Sequence, residues 1–176
     1  KISAWKWQRK EKSAVNDLII NPNKTASFSG HRILGADFEK DKVKSAVLSL
    51  IKNGYDTFLC GMAIGFDTEC FKVLLDLKKL FDIKIIACIP CLNQSERFNS
   101  KQKAEYEKLL NFADDKIVIS KDYTESCMQK RNKFLVDYST ALIAYLRHDR
   151  SGTSSTVNYA IKRNIFYFLS RFLEVL

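Results

Sequence analysis

The chain has only six glycines and two prolines among 176 residues, too few for a collagen-like, linker-like or disordered protein. No apolar run approaches the roughly 18 residues that a membrane span needs. The segment Lys1 to Lys12 is basic, but no uninterrupted apolar stretch follows it, which argues against a secretory signal. Five cysteines form an odd set without a regular framework, and Cys60 and Cys88 sit in apolar surroundings, the pattern of reduced thiols. These absences predict a cytoplasmic protein without a membrane partner. Two nucleotide-binding signatures are also missing. Neither Gly-x-Gly-x-x-Gly nor Gly-Lys-Ser/Thr occurs, so dinucleotide dehydrogenases and P-loop proteins do not fit.

What is present is an ordinary globular balance, 46% hydrophobic and 28% charged, in a length that suits one domain. The net charge is +9, but it is unevenly spread. Residues 1–24 hold six bases and two acids, residues 128–176 hold eight and three, and residues 25–127 hold 15 of each. Residues 1–24, with Trp5, Trp7 and a short Val15, Leu18, Ile19 patch, form a basic N-terminal extension ahead of a domain over 25–176.

Within that domain short apolar runs alternate with amphipathic segments. Strands are expected at Thr25–Ser29, Thr57–Cys60, Ile83–Ile89, Lys116–Ser120, Ala141–Leu146 and Ile165–Leu169. Helices are expected at Asp37–Lys52, Phe66–Phe81, Ala104–Phe112, Ser126–Asp137 and Gly152–Lys162, where apolar residues recur at helical spacing. The third strand is expected to end at Pro90. Uninterrupted apolar strands alternating with helices predict a doubly wound, Rossmann-like three-layer α/β sandwich with a mainly parallel sheet. Such sheets bind ligands beyond the carboxyl ends of their strands, where the strand order switches.

The turns after the strands therefore hold the candidate site. Ser29-Gly30-His31-Arg32 places a glycine, an imidazole and a guanidinium after the first strand, and the planar arginine fork suits phosphate or carboxylate. Gly61-Met62-Ala63-Ile64-Gly65-Phe66-Asp67 carries two glycines at the start of a helix, whose N-terminus favours anions. Asp67 fits a helix cap better than a catalyst, and Glu69 is the nearby carboxylate to test as a general base. Cys88-Ile89-Pro90-Cys91 can be read as a dithiol or as a core strand that turns at Pro90, aiming Gln94 and Arg97 at the cleft. His31 and His148 do not fall at metal-ligand spacing, so no metal or cofactor is expected. Arg131-Asn132 lies on the fourth helix. Gly152-Thr153-Ser154 opens the fifth as either a phosphate cradle or an ordinary N-cap.

Taken in order, these segments resemble the YpsA-like branch of the SLOG superfamily, the grouping of DNA-processing protein A with the LOG proteins. The resemblance covers about residues 25–163, and its Gly-Met-Ala-x-Gly-x-Asp segment is the most specific part. It implies a Rossmann-like domain that binds a nucleotide-derived ligand, an ADP-ribose-type or cyclic nucleotide signal in bacterial and phage immunity conflicts, and it implies homodimerisation. Two departures stand out. Ser151 replaces the first glycine of the usual Gly-Gly-Thr, and Ser155 and Thr156 stand where LOG phosphoribohydrolases carry a pair of glutamates. Missing carboxylates favour binding over N-glycosidic cleavage. The expected ligand set is Ser29, Gly30, His31, Arg32, Gly61, Met62, Gly65, Asp67, Pro90, Gln94, Arg97, Arg131, Asn132, Gly152, Thr153 and Ser154. Arg32, Arg97 and Arg131 would contact phosphates, with Met62 or Phe66 against the base. The competing readings are a nucleotide hydrolase using Glu69 and a single-stranded nucleic-acid binder.

Overall fold

The computed structural model describes residues 19–169. The Trp5 and Trp7 pair and most of the predicted extension lie outside the described residues. The strands are β1 (Thr25–Gly30), β2 (Thr57–Cys60), β3 (Lys84–Cys91), β4 (Asp115–Ser120), β5 (Ala141–Tyr145) and β6 (Phe166–Leu169). The helices are α1 (Lys40–Lys52), α2 (Phe66–Lys78), α3 (Ser100–Phe112), α4 (Cys127–Asp137) and α5 (Gly152–Lys162). Every strand pair is parallel, and the order is β4-β3-β2-β1-β5-β6.

Both sheet faces are covered, which is why the strands read as continuous apolar runs. Along β2 and β3, Phe58, Cys60, Ile85 and Ala87 join one core with α1, α2 and α3. The intervening Leu59, Ile86 and Cys88 pack on the other face with Leu135 of α4, as the period of two requires. Val136, Val157 and Ala160 extend that second layer over Leu142 and Ala144 of β5.

Three expected boundaries shift for physical reasons. The first helix begins at Lys40, because Asp37 is held in the preceding turn by Tyr145 Oη at 2.8 Å. The third strand passes through Pro90 to Cys91, whose ladder partner is Ser120. The third helix starts earlier, at Ser100, under a capping box formed by Asn99 and Gln102. The dithiol reading of Cys88 and Cys91 also fails geometrically. Residues three apart on a strand point to opposite sides. Cys88 packs in the second core, whereas Cys91 Sγ lies 4.0 Å from Cys127 Sγ. Burial pushes the Cys88 thiol up to about 12 and contributes most to the Cys91 value of about 11, so neither is a thiolate at neutral pH.

Residues immediately before β1 dock on the domain. Ile20 packs against the second core, Thr140 Oγ1 donates to the Pro22 carbonyl at 2.9 Å, and Lys24 pairs with Asp56.

Candidate functional site

The strand order reverses between β1 and β5, and the loops leaving these two strands meet there. Gly30 pairs with Tyr145 in the ladder, so the residues that follow each are brought together. The His31 and His148 rings sit edge to face with centroids 5.3 Å apart. Tyr145 Oη accepts from the Gly35 N–H at 3.0 Å while donating to Asp37, and Arg147 Nε lies 3.7 Å from Asp37 Oδ1. His31 Nε2 is buried without a hydrogen-bond partner. Burial first, then the neighbouring His148 and Arg147, hold the His31 pKa below its usual value. Among the described residues no group of three or more side chains is placed to hold a metal ion.

Arg147 and His148 open the segment that follows the fifth expected strand, but neither belongs to the expected ligand set. The signal existed: they follow β5 just as His31 and Arg32 follow β1. Spacing alone treated the two histidines as unrelated because 116 intervening residues separate them.

The Gly61–Gly65 loop is tied down from three directions. Arg131, on α4, reaches past the carboxyl end of β2 to donate to the Gly61 carbonyl, and its Nη1 lies 3.5 Å from Asp67 Oδ2. Asp67 accepts from the Ala63 N–H at 3.2 Å. Gln94 Nε2 donates to the Met62 carbonyl at 2.9 Å, where Met62 holds a φ of 59°. A Cβ on Gly61 would sit 2.6 Å from the Arg131 guanidinium carbon. At Gly65, whose φ is 83°, one would sit 2.7 Å from the His31 carbonyl oxygen. These glycines let two loops and a buried guanidinium meet closely. Asp67 lies one residue inside α2, whose N-cap is Gly65, so its carboxylate braces the loop instead of capping the helix. Burial raises its pKa, and Arg131 opposes the shift.

The three candidate arginines thus differ in kind. Arg131 is only 6% exposed and is used inside the protein, with Nε donating to Asn132 Oδ1 at 2.8 Å. Arg97 leaves the cleft and lies over the exposed Tyr123 ring, 4.1 Å from its centroid. Arg32 is exposed, has no ion-pair partner among the described residues, and lines a cavity of about 160 Å³. Met62, Phe98, Tyr106 and Leu109 give that cavity apolar walls. Thr68, Glu69, Gln102 and Glu105 add polar groups. Ile64 and Gly65 also line it, and their N–H groups meet no acceptor among the described residues. Glu69 is engaged by Lys72 at 2.7 Å and by Lys40 at 3.9 Å.

Of the two aromatic or thioether candidates for contact with a base, Phe66 is fully buried. It stacks on Tyr145 and packs beneath Gly30, so Met62 is the one that reaches the cavity. Ser29 and Pro90 are buried strand residues. At the start of α5, Ser151 Oγ accepts from the Ser154 N–H at 3.0 Å, the expected N-cap. Ser155 and Thr156 hydroxyls donate to the carbonyls of Ser151 and Gly152. Thr153 and Ser154 are buried, while Gly152 is exposed and faces open space.

Comparison with known proteins agrees with this architecture. The chain is 32% identical to an uncharacterized SPbeta prophage-derived protein, YoqJ, of Bacillus subtilis, over 75% of this chain and 85% of that one. A UPF0398 protein of Halalkalibacterium halodurans is 27% identical over 71% and 68% of the two chains. Among solved structures, DNA processing protein A from Helicobacter pylori, described for its single-stranded DNA binding mode, superposes with a TM-score of 0.62 at 19% identity. The Streptococcus pneumoniae protein of the same name gives 0.62 at 20% identity. The alignments cover 84% of this chain but only 65% and 50% of those two proteins, and the likeness is one of fold. The model of the YspA SLOG family, YpsA, matches residues 34–166, from the loop after β1 to the first residue of β6. The chain belongs to that family.

Proposed function

We propose that the carboxyl edge of the sheet binds a nucleotide-derived small molecule of the ADP-ribose or cyclic nucleotide type, with Arg32 as the cation that meets its phosphate. The observation that carries this reading is the state of Arg32: exposed, without an ion-pair partner among the described residues, and lining one cavity with Ile64 and Gly65, whose N–H groups meet no acceptor among those residues. Arg131 instead braces the Gly61 loop, and Gly152 lies open at the start of α5. The reading is of binding without turnover, since Ser155 and Thr156 offer no carboxylate and Glu69 is held by two lysines.

A thermal-shift panel of nucleoside mono- and diphosphates, ADP-ribose and cyclic ADP-ribose isomers tests it. A ligand at a hundredfold over its Kd adds about 2.7 kcal/mol, and Arg32→Gln should remove most of that gain. No shift across the panel would overturn the reading. Chromatography of the same mixtures should show the nucleotides intact, and release of free base would instead establish the hydrolase.

One observation favours a second reading, single-stranded nucleic-acid binding. Tyr123, backed by Arg97, is an exposed aromatic of the kind on which bases stack. That reading predicts affinity that drops by about 0.7 log units per log of salt for each phosphate neutralised.

A further inference from the structure

The cavity beside Arg32 carries an inference that rests on the nucleotide reading and specifies it. Two groups in its lining retain unused hydrogen-bonding atoms. Gln102 spends Oε1 on the capping box, accepting from the Asn99 N–H at 3.1 Å, and its Nε2 has no partner among the described residues. Glu105 spends Oε1 on Lys72 at 2.6 Å, and its Oε2 has none. The two residues stand three apart on α3, on one face of the helix. They therefore present one donor and one acceptor side by side above walls that include Met62 and Tyr106. At about 160 Å³ the cavity is well below the roughly 300 Å³ at which pockets for drug-sized ligands begin. It suits a flat heterocycle, not a whole nucleotide.

We propose that this cavity is a purine-base pocket. Gln102 Nε2 donates to a ring nitrogen or carbonyl oxygen of the base, and Glu105 Oε2 accepts from the adjacent N–H. The ring lies against Met62, and the sugar and phosphate leave toward Arg32.

The chain has two methionines, Met62 and Met128, so methyl-labelled protein yields two NMR signals, one in the cavity and one control. Adenine, guanine, AMP and ribose 5-phosphate are the probes. The Met62 signal should move with the three purine-bearing probes and stay still with ribose 5-phosphate, while Met128 stays still throughout. AMP should bind on the order of tenfold more tightly than ribose 5-phosphate. Gln102→Glu keeps an acceptor for the capping box but replaces the donor, and should abolish that advantage without lowering Tm. An unmoved Met62 signal under AMP concentrations that raise Tm would overturn the pocket and leave the nucleotide reading standing. So would an undiminished AMP advantage in Gln102→Glu. Free purines that move Met62, with no stabilisation by any phosphorylated probe, would keep the pocket and overturn the phosphate assignment. No response to any probe would overturn both.

Discussion

At the residue scale the decisive contact is the buried Arg131–Asp67 pair. Truncating one member of a buried ion pair strands the other charge, at a cost of about 3–5 kcal/mol. Arg131→Met should therefore destabilise the chain strongly in urea titrations. Asp67 is already raised by burial and would lose the cation that opposes the shift. In the variant the carboxyl would take up a proton more readily, so the loss should be smaller near pH 5 than at pH 8. Gly61→Ala pushes a methyl into the same guanidinium and should cost about 1–3 kcal/mol, as overpacking does. His31 carries a second pH signature. Its folded-state pKa is depressed, so its contribution to stability is present above about pH 6.5 and fades as pH falls through the lowered value. Urea midpoints should rise between pH 5 and 7, and His31→Gln should flatten that rise.

At the scale of elements, the loop after β2 departs from its expected character, and the start of α5 takes one of its two expected forms, the N-cap. The Gly61–Gly65 loop looks like an open phosphate cradle in sequence, yet Gly61, Met62 and Ala63 are all held by protein side chains. The part without such partners among the described residues is narrower, at the Ile64 and Gly65 N–H groups. At α5 the residue that departs from the family's Gly-Gly-Thr proves useful, because Ser151 supplies the cap. Ser151→Ala should cost about 0.5–2 kcal/mol in thermal melts and Ser151→Gly only a few tenths. The helices themselves were legible, since α5 follows an unbroken periodic pattern with Ser151 ahead of it. Their starts were less legible where a distant partner decides them. The turn before α1 is set by Tyr145 reaching Asp37 across 108 residues, and no local pattern encodes that reach.

For the whole molecule, a parallel sheet with its order reversed beside β1 brings the loops after β1 and β5 together. No described helix is long and apolar enough to cross a membrane. Charge is balanced over residues 25–127, which bears on the two functional readings. A small anionic ligand engaging one or two cations should lose less than tenfold in affinity between 50 and 200 mM salt, whereas single-strand binding through six to ten phosphates should lose roughly 300-fold to 10⁴-fold over that range. Fluorescence titrations of a labelled nucleotide and of a labelled oligonucleotide at both salt concentrations would separate them.

The amino-acid sequence by itself determined the strand and helix order and the parallel sandwich. Apolar periodicity and turn chemistry are local properties, and right-handed parallel connections leave little choice of assembly. Only the tertiary structure decided which arginine is free and which is spent, and that His31 meets His148. It also decided that Gln102 and Glu105 on α3 share a cavity with Met62 on the loop after β2. Each of these depends on groups distant in the chain meeting within a few ångströms, where burial and partner geometry set whether a charge is used inside the fold or left for a ligand.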